Sequence, residues 1–569
     1  MDERDRLENY YFHEQGFDTL AEAEAWFEWE IPETFNIAHY VCDRWAEAKK
    51  DDIALYIETA GEQRNESADE RQSVYTFRQL QNYANRFANA LEDRGIGRGD
   101  RVAVNGAQRL QSLVAHLAAF KLGAVTVPLS VLLGSDGLRY RLADSESAAF
   151  VVDRGAIDTF REIRGDLEGL EMVVTNEAFD EEGEVNFWDA VEGYGADFET
   201  RRTDPEEDAC IIYTSGTTGK PKGAVHAHRH LLGLLPQFVS LQRHETGDDQ
   251  IVRTISEWSW IMSLNQMVLP PLFYGIPVVG DPSGRFEAEK EFELVDRFAI
   301  THLNLPPTAV RMMMQVDNVA ERYDLSSLRS FSTGGESAGE SIIDWATSTF
   351  ENAAFIEGYG ATEIGGLICD DPGFGITHRT GYFGVPSIGH EVAVLDRDTL
   401  DPIEEPGEIG ELAVRYEDNP MLFVEYLDKP EKTAEKVQDG WLLSEDLVSV
   451  DEDGYFRFHA RDDDLIISSG YRFGPDEIEE ALVTHEAVEE AGVIGVPHET
   501  RGEIPKAFVV LNEGKAPTEE QRMDLQQHVK DRLAKYEYPR ELEFVETLPR
   551  TSTGKIRRTA LRERDGVAE

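Results

Sequence analysis

A short apolar run, Ile211-Ile-Tyr213, passes directly into Thr214-Ser-Gly-Thr-Thr-Gly-Lys-Pro-Lys-Gly223. This join restricts the fold more than any other stretch, because it ties a buried strand to a loop rich in Gly, Ser and Thr. Gly216, Gly219 and Gly223 let the backbone turn tightly, and the hydroxyl and backbone N–H groups can surround phosphate oxygens. Lys220 and Lys222 add positive charge. A flexible linker does not usually follow a buried strand. A Walker A loop is disfavoured by Pro221, which stands after Gly219-Lys220 where Ser or Thr would hold magnesium.

Around this join the first 460 or so residues alternate helical and strand patterns. Leu80, Tyr83, Ala84, Phe87, Ala88 and Leu91 recur at helical spacing, and Thr76 with Gln79 predicts a capping box at the start of that helix. Strand patterns lie at 101–104, 124–128, 150–153 and 211–213. The order predicts an α/β fold with layered, largely parallel sheets. At 569 residues the chain is too long for one compact core. The composition shifts after Asp446, where Asp451-Glu-Asp-Gly454 reads as a tight turn. The last hundred residues read as a small α+β unit, with helices over 476–483 and 519–535 and strands near 493–496 and 506–511. The expected division is 1–462 and 463–569, with a hinge near Asp463.

Charge narrows the partners. The chain carries 110 Asp+Glu against 55 Lys+Arg, a net −55, spread along its whole length between apolar segments. That is an acidic shell on a folded protein, as in salt-loving organisms, rather than a disordered acidic tail. Such a field repels nucleic-acid phosphates and anionic lipids. Cys42, Cys210 and Cys369 are widely spaced, without zinc or disulfide patterning, and suit a reducing cytoplasm. The first residues show no secretory or transit pattern. The 23 uncharged residues from Trp258 to Gly280 contain Pro270, Pro271 and Pro277, with Asn265 and Gln266 mid-run. They predict a buried helix and then a buried strand, not a membrane span.

The 213–223 loop resembles the phosphate loop of the adenylate-forming superfamily, and the superfamily's other motifs follow in order. Thr333-Gly-Gly-Glu336 is similar to its adenine-contacting turn, Glu357-Gly-Tyr-Gly-Ala-Thr-Glu363 to its central motif, and Pro549-Arg-Thr-Ser-Thr-Gly-Lys555 to its catalytic-lysine loop. Ala460-Arg-Asp-Asp-Asp-Leu-Ile-Ile-Ser-Ser-Gly-Tyr-Arg-Phe-Gly-Pro475, Ile31-Pro-Glu-Thr-Phe-Asn36, Arg501-Gly-Glu503 and Lys506-Ala-Phe508 resemble medium-chain acyl-CoA synthetases. The resemblance spans nearly the whole chain. It implies a large N-terminal α/β domain of several subdomains and a small mobile C-terminal α+β domain. It also implies AMP-forming acyl-CoA synthesis with ATP, Mg2+ and coenzyme A, on medium- or short-chain fatty acids.

By that resemblance, ATP or AMP is held by Thr214, Ser215, Gly216, Thr217, Thr218, Gly219, Lys220 and Lys222. Gly335, Glu336, Ser337, Glu357, Gly358, Tyr359, Gly360, Thr362, Asp446, Arg461 and Lys555 complete the nucleotide set. Thr214, Glu363 and Lys555 are catalytic, Glu363 being the magnesium ligand. Ser469, Gly470, Tyr471, Arg472, Arg501 and Tyr538 meet CoA, while Trp258, Trp260, Gly360 and Ala361 line the acyl pocket. Attack of a carboxylate on the α-phosphate brings two negative groups together, which explains the demand for magnesium and an ammonium group. Residues 540–564 hold seven Lys/Arg and four Asp/Glu, a local +3 that suits a polyanionic ligand.

Three positions depart from the pattern. Glu445 stands where Gly commonly precedes the ribose-binding Asp, Ser337 replaces a common Pro, and Glu257-Trp-Ser-Trp260 replaces Asp-x-Gly-Trp. His226, His228 and His230 alternate without a further ligand cluster, so they are expected to pack behind the phosphate loop, with one near the acyl carboxylate. The rival functions are an aryl, acetate or propionate CoA ligase, a carrier-protein-loading adenylation enzyme, and a catalytically silent binder.

Overall fold

A computed structural model describes residues 6–58, 74–176, 183–214, 220–335, 338–461, 464, 466–468, 471–498, 501–512, 514–533, 538–550 and 555–567. The chain forms two compact units. One comprises 1–379, 383–391 and 415–442; the other comprises 380–382, 392–414 and 443–569.

The larger unit holds two extended sheets. The first runs 222–227, 208–214, 125–129, 101–105, 147–152, 172–175 and 184–186, with 425–426 on its outer edge. Its strands are parallel except where 222–227 folds back antiparallel on 208–214 and receives 425–426. The second orders 365–369, 354–361, 330–334, 302–304, 252–254, 278–280 and 53–57 between two short edge strands. It too is parallel through its middle. The helix Leu110–Leu122 is buried at all 13 positions, Gln111, Ser112, His116 and Lys121 included, which explains why apolar residues occupy the rest of every face.

Local signals in the sequence produce these elements. The helix Phe77–Asp93 starts with the expected reciprocal cap: Gln79 N–H donates to Thr76 Oγ1, and Thr76 N–H donates to Gln79 Oε1 at 2.9 Å. The uncharged 258–280 stretch folds as Ile261–Val268, Leu269–Phe273 and the strand Val278–Gly280, with Pro270 and Pro271 at the helix start where no N–H is missed. Ile261–Val268 winds as a π-helix, a rare form that 3.6-residue periodicity does not reveal. Among the described residues no helix is long and apolar enough to cross a membrane.

The smaller unit contains the antiparallel stretches 443–450 and 456–461, joined by a turn in which Asp451 accepts from the N–H groups of Asp453 and Tyr455. It also holds a sheet ordered 471–473, 466–468, 502–511 and 488–498, with 541–544 parallel to 502–511. Helices Pro475–Val483, Glu519–Arg532 and Arg558–Asp565 pack on this sheet. The second ends three residues before its expected limit, where Leu533 turns extended. The expected hinge residue Asp463 lies outside the described residues.

Candidate active site

The phosphate-loop motif spans a strand turn. Thr214 closes Asp208–Thr214, Lys222 opens Lys222–Ala227, and the two residues pair in register. Ser215, Gly216, Thr217, Thr218 and Gly219 lie outside the described residues. Lys220 Nζ sits 5.3 Å from the ring centre of Tyr140, whose hydroxyl donates to the carbonyl of Pro221 at 2.9 Å. The base of the loop is therefore fixed to the neighbouring helix.

Thr362 and Glu363 occupy the turn between the antiparallel strands Ala354–Ala361 and Gly365–Cys369. Gly360 has no room for a side chain, since a Cβ there would lie 2.3 Å from the Gly365 carbonyl oxygen. Gly335, at φ +86°, takes a left-handed conformation that favours glycine. Gly334 registers beside Gly358, so the adenine-type turn and the central motif leave adjacent parallel strands. Glu336 and Ser337 lie outside the described residues. The buried side chain of Glu357 joins the two motifs by accepting from the Ala338 N–H at 3.2 Å. Its own N–H donates to Asp370 Oδ2 at 2.8 Å, and His378 Nδ1 lies 3.0 Å from the same oxygen. Burial opposes a charge on His378, but the hydrogen bond and fields of Asp370 and Glu357 outweigh it and raise its pKa.

The two motifs meet through Tyr426, a residue absent from the sequence-based site. The Tyr426 hydroxyl donates to Glu363 Oε1 at 2.5 Å, and Lys222 Nζ lies 4.4 Å from the centre of its ring. Strand Glu425–Tyr426 pairs with Lys222–Ala227, so main-chain bonds hold the tyrosine in place. Glu363 is a hard oxygen donor with one carboxylate oxygen oriented by a neutral hydroxyl, a donor type that fits magnesium. Tyr359 packs against Phe383 at 5.2 Å between ring centres.

The proposed pocket tryptophans differ in setting. Trp258 is fully buried within the main core; its backbone N–H donates to the carbonyl of Gly106, while its indole N–H has no partner among the described residues. Trp260 is half-buried and precedes the 261–268 helix. Burial raises the pKa of Glu257, which accepts from Ser259 Oγ at 3.1 Å. His226, His228 and His230 are buried where the 222–227 strand leads into a helix, with His226 and His230 rings 4.3 Å apart. Burial lowers all three, His228 to about 3 and His230 to about 4.

In the smaller unit, Asp446 and Arg461 are directly registered across antiparallel strands. Glu445 has φ +67°, which gives the physical reason glycine is common there. Ser468 registers with Tyr471 and Ile467 with Arg472, while Ser469 and Gly470 lie outside the described residues. Arg501 sits in the turn between strands 488–498 and 502–511. Tyr538 lies between two cations, Lys530 Nζ at 4.2 Å and Arg540 Cζ at 4.7 Å from its ring centre. Exposed Lys555 precedes Ile556, which bridges back to Arg550. The basic 540–564 stretch is partly spent internally: Arg550 pairs with Glu490, Arg558 with Asp464, Asp476 and Glu479, Arg562 with Asp464, and Arg564 with Glu543.

These features coincide with known proteins. A family model described as AMP-binding enzyme matches residues 42–427, and one described as AMP-binding enzyme C-terminal domain matches 477–555. The acyl-CoA ligase YtcI of Bacillus subtilis, itself uncharacterized, is 35% identical over 87% of this chain and 91% of its own. The mitochondrial acyl-coenzyme A synthetase ACSM3 of Mus musculus is 32% identical over 97% of this chain and 94% of its own. The crystal structure of the anthranilate CoA ligase AuaEII in complex with anthranoyl-AMP superposes with a TM-score of 0.83 at 27% identity, covering 94% of this chain and 98% of that one. The substrates and cofactor of this chemistry are a carboxylic acid, ATP, CoA and Mg2+. The chain belongs to the AMP-binding enzyme family, among its acyl-CoA synthetases.

Proposed function

We propose that this synthetase activates a medium- or short-chain fatty acid, with the two nucleotide motifs of the larger unit acting as one cradle. The observation that carries the cradle is Tyr426, which contacts both Lys222 and Glu363. In this reading Thr214, Lys220 and Lys222 steady the phosphates, Thr362 contacts the nucleotide phosphate, and Glu363 holds magnesium, which neutralises phosphate charge. Asp446 and Arg461 grip the ribose. Lys555 supplies an ammonium group to the first step, the attack of the acid on the α-phosphate with loss of pyrophosphate. The module 463–569 then turns about Asp463, withdraws Lys555 and presents Ser469–Arg472 to guide the CoA thiol onto the acyl carbonyl, releasing AMP. Glycine at 470 suits this path because a side chain would obstruct pantetheine. Burial of Glu357 and its bonds to Ala338 and Asp370 support a preformed nucleotide cradle.

AMP release should be measured in high KCl for acids from acetate to dodecanoate, with benzoate alongside. An apolar pocket separates neighbouring chain lengths by only about 1–3 kcal/mol per methylene, so a graded optimum at medium or short chains is expected. The likeness to an anthranilate ligase structure favours a second reading, an aryl acid. Benzoate outpacing every fatty acid would select it.

A further inference from the structure

We propose that the acid carries an uncharged hydrogen-bonding substituent, received by the carboxamide of Gln266. The inference rests on the acyl-CoA synthetase assignment and on the 360–361 wall of the acyl pocket, and it narrows the substrate class.

Gln266 is 2% exposed, yet neither Oε1 nor Nε2 has a hydrogen-bond partner among the described residues. A buried amide left unpaired on both atoms is costly, so a partner is missing from the protein itself. Its position indicates which partner. A Cβ on Gly366 would lie 3.0 Å from Gln266 Oε1, and Gly366 registers opposite Gly360 in the central motif. The same π-helix carries Met262, whose methyl lies 3.3 Å from a Cβ placed on Gly334. That helix therefore faces the strands that carry the adenine-type turn and the acyl wall. A π-helical segment at such a place is itself a frequent mark of a functional site.

Gln237, the other amide beside Gly366, provides the contrast. Its Nε2 donates to the Ile368 carbonyl at 3.0 Å, so it serves the fold, whereas Gln266 pairs with no group among the described residues. The side chains nearest to Gly334, Gly365 and Gly366 are Met262, Met421, Leu234, Gln237 and Gln266, none of them charged. A second carboxylate or an ammonium group would find no counter-charge among them. A hydroxyl, a carbonyl or an aryl amine would be matched by an amide that both donates and accepts.

The test is acid-dependent ATP–pyrophosphate exchange in high KCl with matched pairs: benzoate against hydroxy- and aminobenzoates, and hexanoate against 5-oxohexanoate and 6-hydroxyhexanoate. Wild type should favour a substituted member by about tenfold or more in kcat/KM. Gln266→Leu should erase or invert that ratio while KM for ATP stays within about twofold. Gln266→Met, closer in shape, provides the same comparison if the leucine variant does not fold. Exchange with flat ratios in wild type, or ratios unchanged in both variants, would overturn the proposal and assign the amide to an enclosed water. Exchange with no acid at all would overturn the activity assignment and this inference with it.

Discussion

The proposed nucleotide cradle of the larger unit and the sheet-and-helix body of the smaller one are held by different forces. In the cradle, close backbone approach at Gly334 and Gly360 and short hydrogen bonds through Glu357, Asp370 and Tyr426 set the geometry. In the smaller unit, Arg558 ties Asp464, Asp476 and Glu479 together and Arg562 adds a second bond to Asp464. The difference teaches where an acidic chain can use its few cations. With 55 basic residues against 110 acidic ones, it places several where carboxylates converge. In the cradle the lysines at 220 and 222 instead sit over the aromatic rings of Tyr140 and Tyr426.

Breaking the ionic side should have the largest effect. Arg558→Met leaves part-buried Asp476 and Glu479 without this cation, while Arg562 still pairs with Asp464, and is expected to cost about 3–5 kcal/mol in the smaller unit. Denaturant unfolding followed by a probe in each unit should show the loss in that unit alone. Because the Arg558 side chain is only 16% exposed, molar KCl should change the loss little.

The next effect tests the uncharged side. Burial keeps His228 and His230 neutral down to about pH 3 and 4, whereas the unfolded chain protonates them near its ordinary value of about 6.5. Below that value the unfolded state binds more protons, so stability falls with pH, by about 1.4 kcal/mol per histidine per pH unit. Melting should be followed from pH 7 to 5.5 in molar KCl, which screens the acidic surface. His228→Gln should reduce the slope by about half a proton over that window, approaching one at its lower end.

The smallest effect sharpens the comparison at Glu445, beside Asp446. Glu445→Gly relieves a left-handed non-glycine backbone worth about 1–2 kcal/mol, and the added freedom of glycine when unfolded offsets about half of it. A gain of about 0.5–1 kcal/mol is expected from chemical denaturation.

Elements with local signals were legible in the sequence. The Thr76–Gln79 cap and the strand before the phosphate loop lie where local patterning puts them, and the uncharged 258–280 stretch folds as buried helix then strand, though its π winding was not legible. What was not legible depends on distant partners. Tyr426 is 63 residues from Glu363, and only strand pairing brings them together. Asp370 and His378 look like ordinary polar residues until the fold places them under Glu357. The +3 balance of residues 540–564 counted charges without their partners, so it overstated what remains for a ligand. Glu445 is an intermediate case: its departure from glycine was visible, but its strain was not.

The central claim is that one chain alternates between a lysine-assisted adenylation site and a thiol-delivering one. It is tested most directly by measuring both half-reactions in Lys555→Ala and Gly470→Leu. The account predicts that Lys555→Ala loses acyl-adenylate formation by about a hundredfold or more yet still converts supplied acyl-adenylate to acyl-CoA, and that Gly470→Leu does the reverse. Equal loss of both half-reactions in both variants would contradict it.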